Sequence, residues 1–365
     1  MHYLLILDSF KGSVSSRDAA LHIKSGLGGG EVIPFSDGGE GFLQCIEHAC
    51  GGERVCFSVP DSYGRQVDTY YLRVGDTGVV ETALADGLVT VGKEHPNITG
   101  AASVGTGLTV KKALEDGCKK VIIGFGGSAT NDGGAGALYG LGARFLADGK
   151  ERAPDGLCGE WCEKIDLSGL TPLLARAKLV FACDVDNPYY GENGASMVYS
   201  PQKGADGQTA VRMEKGHRRL SQLLYTASGK DISHIPGAGA AGGLAGGLMA
   251  VCDPEVKSGF DLLKDLCGLE ERIKEADVVI TGEGKTDGQT LNGKLPQKVT
   301  ALAKSNGKKV CCVSGMITQE GYALGADTYI PLAEGEITPQ MTMGNPAPYL
   351  KNAGIKIKNI YEEEI

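Results

Sequence analysis

Strand and helix signals alternate along this chain of 365 residues, which makes it an α/β protein built on parallel sheets. Two further observations sharpen that reading. The chain is longer than one hydrophobic core usually absorbs, so two domains are expected. Clean strand–helix–strand units fall at its two ends, while the texture changes after residue 60. The prediction is a Rossmann-like parallel sheet domain formed by both chain ends, residues 1–60 and 258–365, with a second α/β domain, 61–257, inserted. Two crossings between domains would create a cleft, the expected place of an active site.

Each element has its own signal. "HYLLIL" is an apolar strand, and "SSRD" opens the following helix with a capping box, Ser15 with Asp18. "EVIPF" is a second strand, "GFLQCIEHA" a helix and "ERVCFSV" a third strand. "VDTYYLRV" and "TGVVETAL" read as an antiparallel pair around the turn "GDTG". The helix "TGLTVKKALEDG", ended by Gly117, leads into the buried strand "KKVIIGF". "AKLVFAC" is another strand, and a polar helix spans about 207–226. From residue 258 onward come the helix "DLLKDLCGLEERIKEA", the strand "DVVITG", a helix to Asn306, and the strand "KKVCCVSG". After one more helix, "TYIPL" is a late strand before the C-terminal helix.

Composition narrows the function classes. A net charge of −9 argues against nucleic-acid binding, which normally needs a basic surface. An anionic small-molecule substrate stays open, because one pocket can be positive on an acidic protein. Eleven cysteines show no C-x-x-C and no zinc spacing, so reduced thiols in the cytoplasm are the simplest reading. No apolar stretch reaches 18 residues, so no membrane span is expected. The six histidines form no nucleophile or metal pattern; His95 and His217 are expected at the surface.

The 56 glycines, about twice the usual ~7%, gather where apolar runs end. Five strand ends lead into loops of one chemical character: "DSFKGS", "SDGGE", "GGSATNDGG", "CDVDNP" and "TGEGKTDGQT". In open parallel sheets, ligands bind outside the carboxyl ends of strands, so such loops can converge. Glycines bare backbone N–H groups to anions, lysine adds a full positive charge, and acids hold Mg2+ or accept a hydroxyl proton. That mixture suits phosphoryl transfer. Lys11 and Lys285 are therefore expected to neutralise charge on a transferring phosphate. Gly127 and Gly133 make room for an anionic ligand that Ser128 and Asn131 orient, with Asp132 beside them. Asp184 and Asp186 sit two apart past a strand end, so both carboxylates can meet one ligand. We assign Asp186 as the base and Asp184 to the metal; the reverse uses the same geometry, and Asp287 is the rival base.

Two G-x-x-x-x-G-K matches, "GLVTVGKE" and "GQTLNGKL", lack the magnesium-binding Ser/Thr, having Glu94 and Leu295 instead. "GAGAAG", 237–242, fits a dinucleotide fingerprint but follows "DISHIP" rather than a hydrophobic strand. Close backbone packing, or a helix start facing an anion, suits it better.

The ordered series "DSFKGS", "SDGGEG", "GFGGSATNDGGAG", "CDVDNP", "PGAGAAGGL" and "TGEGKTDGQT" resembles the motifs of the type I glycerate kinases over essentially the whole chain. The resemblance implies ATP-dependent phosphorylation of D-glycerate with Mg2+, generally to 2-phosphoglycerate, though some members are assigned the 3-phosphate. It implies a two-domain α/β fold with an inserted domain and a cleft between; the chain is expected in the cytoplasm as a monomer or homodimer. Ser9 and Asp37 then belong with the substrate-binding residues, and Arg65 could grip the glycerate carboxylate. Gly282, Glu283 and Gly284 belong with Gly127 and Gly133 as nucleotide-binding positions, and Glu283 joins Asp184 as a metal ligand. Which loops hold ATP and which hold glycerate stays open. Another small hydroxy-acid kinase, or a sugar-acid-binding enzyme that moves no phosphate, are the alternatives.

Overall fold

The computed structural model describes residues 1–10, 12–35, 41–88 and 97–362. Lys11, Asp37 and His95 lie outside the described residues. The chain divides into two compact units: Met1–Ser36, Gln44–Cys50 and Phe260–Ile365 form one, and Asp37–Leu43 with Gly51–Gly259 the other.

The chain-end unit is organised around the strand Tyr3–Leu7, five residues with no polar side chain beyond one tyrosine hydroxyl and all buried. A strand buried on both faces reads as such an unbroken apolar run. It pairs in parallel with Glu31–Val32 on one side and Val278–Gly282 on the other. The sheet continues through Lys309–Ser314 to Thr328–Pro331, again in parallel. The helix Ser16–Leu27 begins as the capping box requires, with the Asp18 N–H donating to Ser15 Oγ at 3.1 Å. It packs on the C-terminal helix Pro346–Glu362 so closely that a Cβ at Gly26 or Gly354 would strike the facing backbone.

The middle unit holds a six-stranded mixed sheet in the order Glu255–Lys257, Lys178–Ala182, Lys120–Gly124, Thr77–Glu81, Gln66–Val74, Glu53–Pro60. The first four run parallel and the last two are joined antiparallel. Glu53–Pro60, expected with the chain ends, belongs here instead. It pairs along its whole length with Gln66–Val74, a long-hairpin partner that outweighs its sequence proximity to the first helices. Its exposure alternates, as a half-buried strand should. A small antiparallel sheet, Arg144–Ala147 with Lys150–Glu151 and Lys164–Asp166, turns at Asp148-Gly149, both left-handed. The helix Gly207–Ser228 starts on Asp206, whose carboxylate accepts from the Thr209 N–H, and ends on left-handed Gly229. No helix among the described residues is long and apolar enough to cross a membrane.

Candidate active site

In the chain-end unit, the chain leaves Tyr3–Leu7 toward one edge of the sheet and Val278–Gly282 toward the other. That reversal of direction between adjacent parallel strands opens a crevice at their carboxyl ends. A cavity of about 440 Å³ lies there. Its walls come from residues that follow four strands: Asp8, Ser9 and Phe10; Glu283, Gly284 and Lys285; Gly315; and Leu332. Gly282 is fixed by the neighbouring strand, since any Cβ would run into the Val313 backbone.

Three acids and two lysines line this cavity. Asp8 Oδ1 accepts from the Ser9 N–H at 2.7 Å. Glu283 is buried; it accepts from Thr290 Oγ1 at 2.6 Å and lies 3.5 Å from Lys294 Nζ. Burial pushes its carboxyl above the usual range, and the Asp8 carboxylate adds to that, against the Thr290 and Lys294 contacts. Lys285 Nζ lies 3.0 Å from Asp287 Oδ2, and this bond holds Asp287 below its usual range. Asp287 also accepts from the Gln289 N–H, so it pins its own loop.

In the middle unit a second cavity, about 370 Å³, opens at the carboxyl ends of Lys120–Gly124 and Lys178–Ala182. Phe125, Gly126, Gly127 and Ser128 line it from the first strand, and Cys183, Asp184 and Val185 from the second. Gly127 is left-handed and bare at the wall. Ala240 and Ala241 complete it from the "GAGAAGG" segment, where Ala241, Gly242 and Gly243 all take positive φ. The two glycines are needed because a Cβ on Gly242 would strike the Thr130 and Asn131 backbone, and one on Gly243 the backbone of Gly133. Ala241 is carried into the left-handed region with them, at a cost of about 1–2 kcal/mol.

A family model described as the glycerate kinase family matches residues 3–362. The chain belongs to the glycerate kinase family. It is 40% identical over 326 residues to a glycerate kinase of Halalkalibacterium halodurans, covering 86% of this chain and 85% of that one. It is 37% identical to the glycerate 2-kinase of Escherichia coli, covering 88% and 86%. A crystal structure described as a candidate glycerate kinase 2 from Salmonella typhimurium LT2 superposes with a TM-score of 0.85 at 33% identity, over 100% and 99% of the two chains. These relatives are kinases, enzymes that phosphorylate an alcohol group, and so the α/β, two-unit architecture is that of a kinase family.

Against this family background the predicted residues separate. Ser9, Glu283, Gly284, Lys285 and Asp287 line the chain-end cavity, with Gly282 directly behind it. Gly127, Ser128 and Asp184 line the middle cavity. Asp186 is exposed in the loop after Lys178–Ala182 and is not on the cavity wall. Asn131, Asp132 and Gly133 turn into the core instead. Asn131 donates to Ser196 Oγ at 3.0 Å, and its carbonyl oxygen lies 3.1 Å from His217 Nε2. Asp132 accepts from the Ser103 N–H and hydroxyl and from the Gly134 and Gly136 N–H groups, tying down two helix starts. Gly133 packs under Tyr189, whose hydroxyl donates to its carbonyl at 2.7 Å. Arg65 is clasped by buried Asp61 within its own turn, Nε to Oδ2 at 2.7 Å.

His217 is a correction: it is buried, not at the surface, stacked on Tyr189 at 5.2 Å and 3.0 Å from Ser196 Oγ. Its helix is polar overall, but position 217 falls on the inward stripe with Met213 and Leu220. Sequence reasoning also missed Lys203. This lysine, 3% exposed, reaches the middle cavity and donates to Ser128 Oγ at 2.8 Å and to the Thr130 carbonyl at 2.7 Å. It follows Pro201 in a short 3-10 turn rather than a strand end, so no loop signal marked it.

Asp184 and Glu283, the expected metal ligands, line different cavities. Among the described residues no group of three or more His, Cys, Asp or Glu side chains could hold a metal. That is compatible with Mg2+, which favours one or two carboxylates plus phosphate oxygens and water over an all-protein cage. Asp8 and Glu283 on one wall supply hard oxygen donors of that kind.

Proposed function

We propose that this protein transfers the γ-phosphoryl group of ATP to a hydroxyl of D-glycerate in the cytoplasm, with 2-phosphoglycerate as the favoured product. The observation that carries the reading is the chain-end cavity, where acids and lysines alternate at the carboxyl ends of four parallel strands. A polyphosphate bound with a divalent cation needs both signs of charge at close range. Mg2+ would be held by Asp8 and Glu283 and would neutralise phosphate charge; Asp184 stays the metal candidate of the middle cavity. Lys285 stabilises the charge that develops on the transferring group, the part the sequence also gives to Lys11, which lies outside the described residues. Gly284 leaves the backbone open to phosphate oxygens, Gly282 lets its strand pack on Val313 behind the cavity, and Ser9 donates a hydroxyl.

The middle cavity, with Gly127 and Ser128, suits a small hydroxy acid in size and polarity. Asp186 accepts the hydroxyl proton. Asp287 is the weaker candidate, because its bond to Lys285 leaves it less basic than a free carboxylate. Arg65 serves the carboxylate only if it leaves Asp61.

ADP release measured with D-glycerate, L-glycerate and related hydroxy acids tests the reading. Turnover with D-glycerate should exceed the others, and no ADP release with any of them would overturn it. The proton-coupled phosphorus NMR signal of the product settles the position. A phosphate on the secondary carbon couples to one proton and gives a doublet, and one on the primary carbon gives a triplet.

A further inference from the structure

Lys203 is held in an unusual way. Its ammonium is fully inside the middle unit, yet among the described residues its partners are a hydroxyl and a carbonyl, with no carboxylate in contact. Lysine is almost never fully buried unless paired, since losing water around a cation costs more than two neutral hydrogen bonds return. An ammonium carries three N–H bonds, and Ser128 and Thr130 take two. The residue also lines the 370 Å³ cavity, beside Gly127 and Ala241, where bare or small residues leave room for a ligand. A buried cation, two-thirds coordinated and open to a cavity, is a site prepared for an anion.

We propose that Lys203 binds the carboxylate of the hydroxy-acid substrate, with Ser128 and the Thr130 carbonyl holding the ammonium in place. This rests on the kinase reading above. Lys203 takes the part that the sequence had given to Arg65, which is committed to Asp61. Ser128 then acts by aiming Lys203 rather than by orienting the ligand itself.

The electrostatics agree. Burial pulls the Lys203 ammonium down to about 7, against the attraction of Asp132. His217, pushed down to about 4 chiefly by burial, stays neutral beside it at pH 7. Asp184, Cys183 and Tyr199 are the other titratable groups on the cavity wall. An arriving carboxylate would supply the missing counter-charge, so binding near pH 7 should draw a proton onto the lysine.

Calorimetric titration of the full chain with D-glycerate, in buffers of different ionisation enthalpy, tests this. The wild-type protein should take up roughly half a proton per site at pH 7. In Lys203→Met the uptake should vanish and D-glycerate affinity fall at least about tenfold, as for a lost charged hydrogen bond. ADP affinity should stay within about twofold; a loss confined to ADP would mean that the anion is a nucleotide phosphate and would overturn the assignment. Should the variant fail to fold, proton uptake by the wild type decides alone, and its absence overturns the proposal. A wild type that releases ADP with D-glycerate while Lys203→Met keeps its affinity refutes this inference and leaves the kinase reading standing. A wild type that neither binds nor phosphorylates D-glycerate refutes both.

Discussion

Gly133→Ala and Gly127→Ala, two changes in the same glycine-rich loop, should have opposite characters. At Gly133 the backbone is left-handed at φ 65°, which costs an alanine about 1–2 kcal/mol. The new Cβ would meet the Tyr189 hydroxyl and lie 2.7 Å from Leu220 Cδ2, both in the core. Overpacking of that kind costs about 1–3 kcal/mol. Pushing Tyr189 away also strains its 2.7 Å bond to the Gly133 carbonyl, for about 1 kcal/mol. The sum, about 3–6 kcal/mol, is a large part of the ~5–15 kcal/mol that holds a typical domain folded. At Gly127 the φ of 74° carries the same backbone cost, but the Cβ would meet only the Ala83 methyl at 3.3 Å. Its loss should be about 1–2 kcal/mol, with the larger effect on ligand binding because the residue lines the cavity. The single tryptophan, Trp161, lies in the middle unit with its indole N–H bonded to Asp155, so its fluorescence in urea reports the unit that carries both glycines. The reasoning fails if Gly133→Ala is as stable as wild type, or loses less than Gly127→Ala.

Lys285→Met should lower turnover by about two orders of magnitude through lost electrostatic stabilisation, and initial rates near wild type would remove Lys285 from the mechanism. Asp186→Asn should abolish most turnover while Asp287→Asn loses less; if Asp186→Asn stays within a few-fold of wild type and Asp287→Asn is dead, the base is Asp287. The middle unit should lose stability in acid through His217. Because its folded value is depressed from 6.5 to about 4, its contribution is complete above pH 6.5 and is lost as the pH falls through 4. The loss by pH 4 should be about 3 kcal/mol, seen as a steeper acid slope in Trp161 urea transitions than His217→Gln gives, and equal slopes would rule it out.

The chain-end unit was readable because its signals are local. Five apolar residues at Tyr3–Leu7, a capping box at Ser15 and glycine at strand ends each act within a few residues. Four of the five strand-end loops singled out by the same rule contribute to the two cavities; the fifth, "SDGGE", lies outside the described residues. What escaped was decided by distant contacts. Glu53–Pro60 joined the middle sheet through its hairpin partner. Asn131, Asp132 and Gly133 share the polar, glycine-rich look of Gly127 and Ser128. They face inward only because Ser103, Tyr189 and Ser196 converge on them from elsewhere in the chain. Lys203 looks like any surface lysine until the Thr130 carbonyl is brought to it across 73 positions.

The strand Tyr3–Leu7 of the chain-end sheet has a consequence for biosynthesis. Tyr3 is made well before its partner, since Val278 emerges 275 positions later. At about 5–20 residues per second, "YLLIL" waits on the order of tens of seconds with one long edge unpaired. Such a segment, apolar, uncharged and free of proline and glycine, is the kind that pairs with other nascent chains. The middle unit can complete its own sheet during that interval, because all six of its strands lie between the two partners. Truncated translation products that stop before residue 278 would therefore carry a folded middle unit and an unpaired apolar strand, an aggregation hazard that the finished sheet hides.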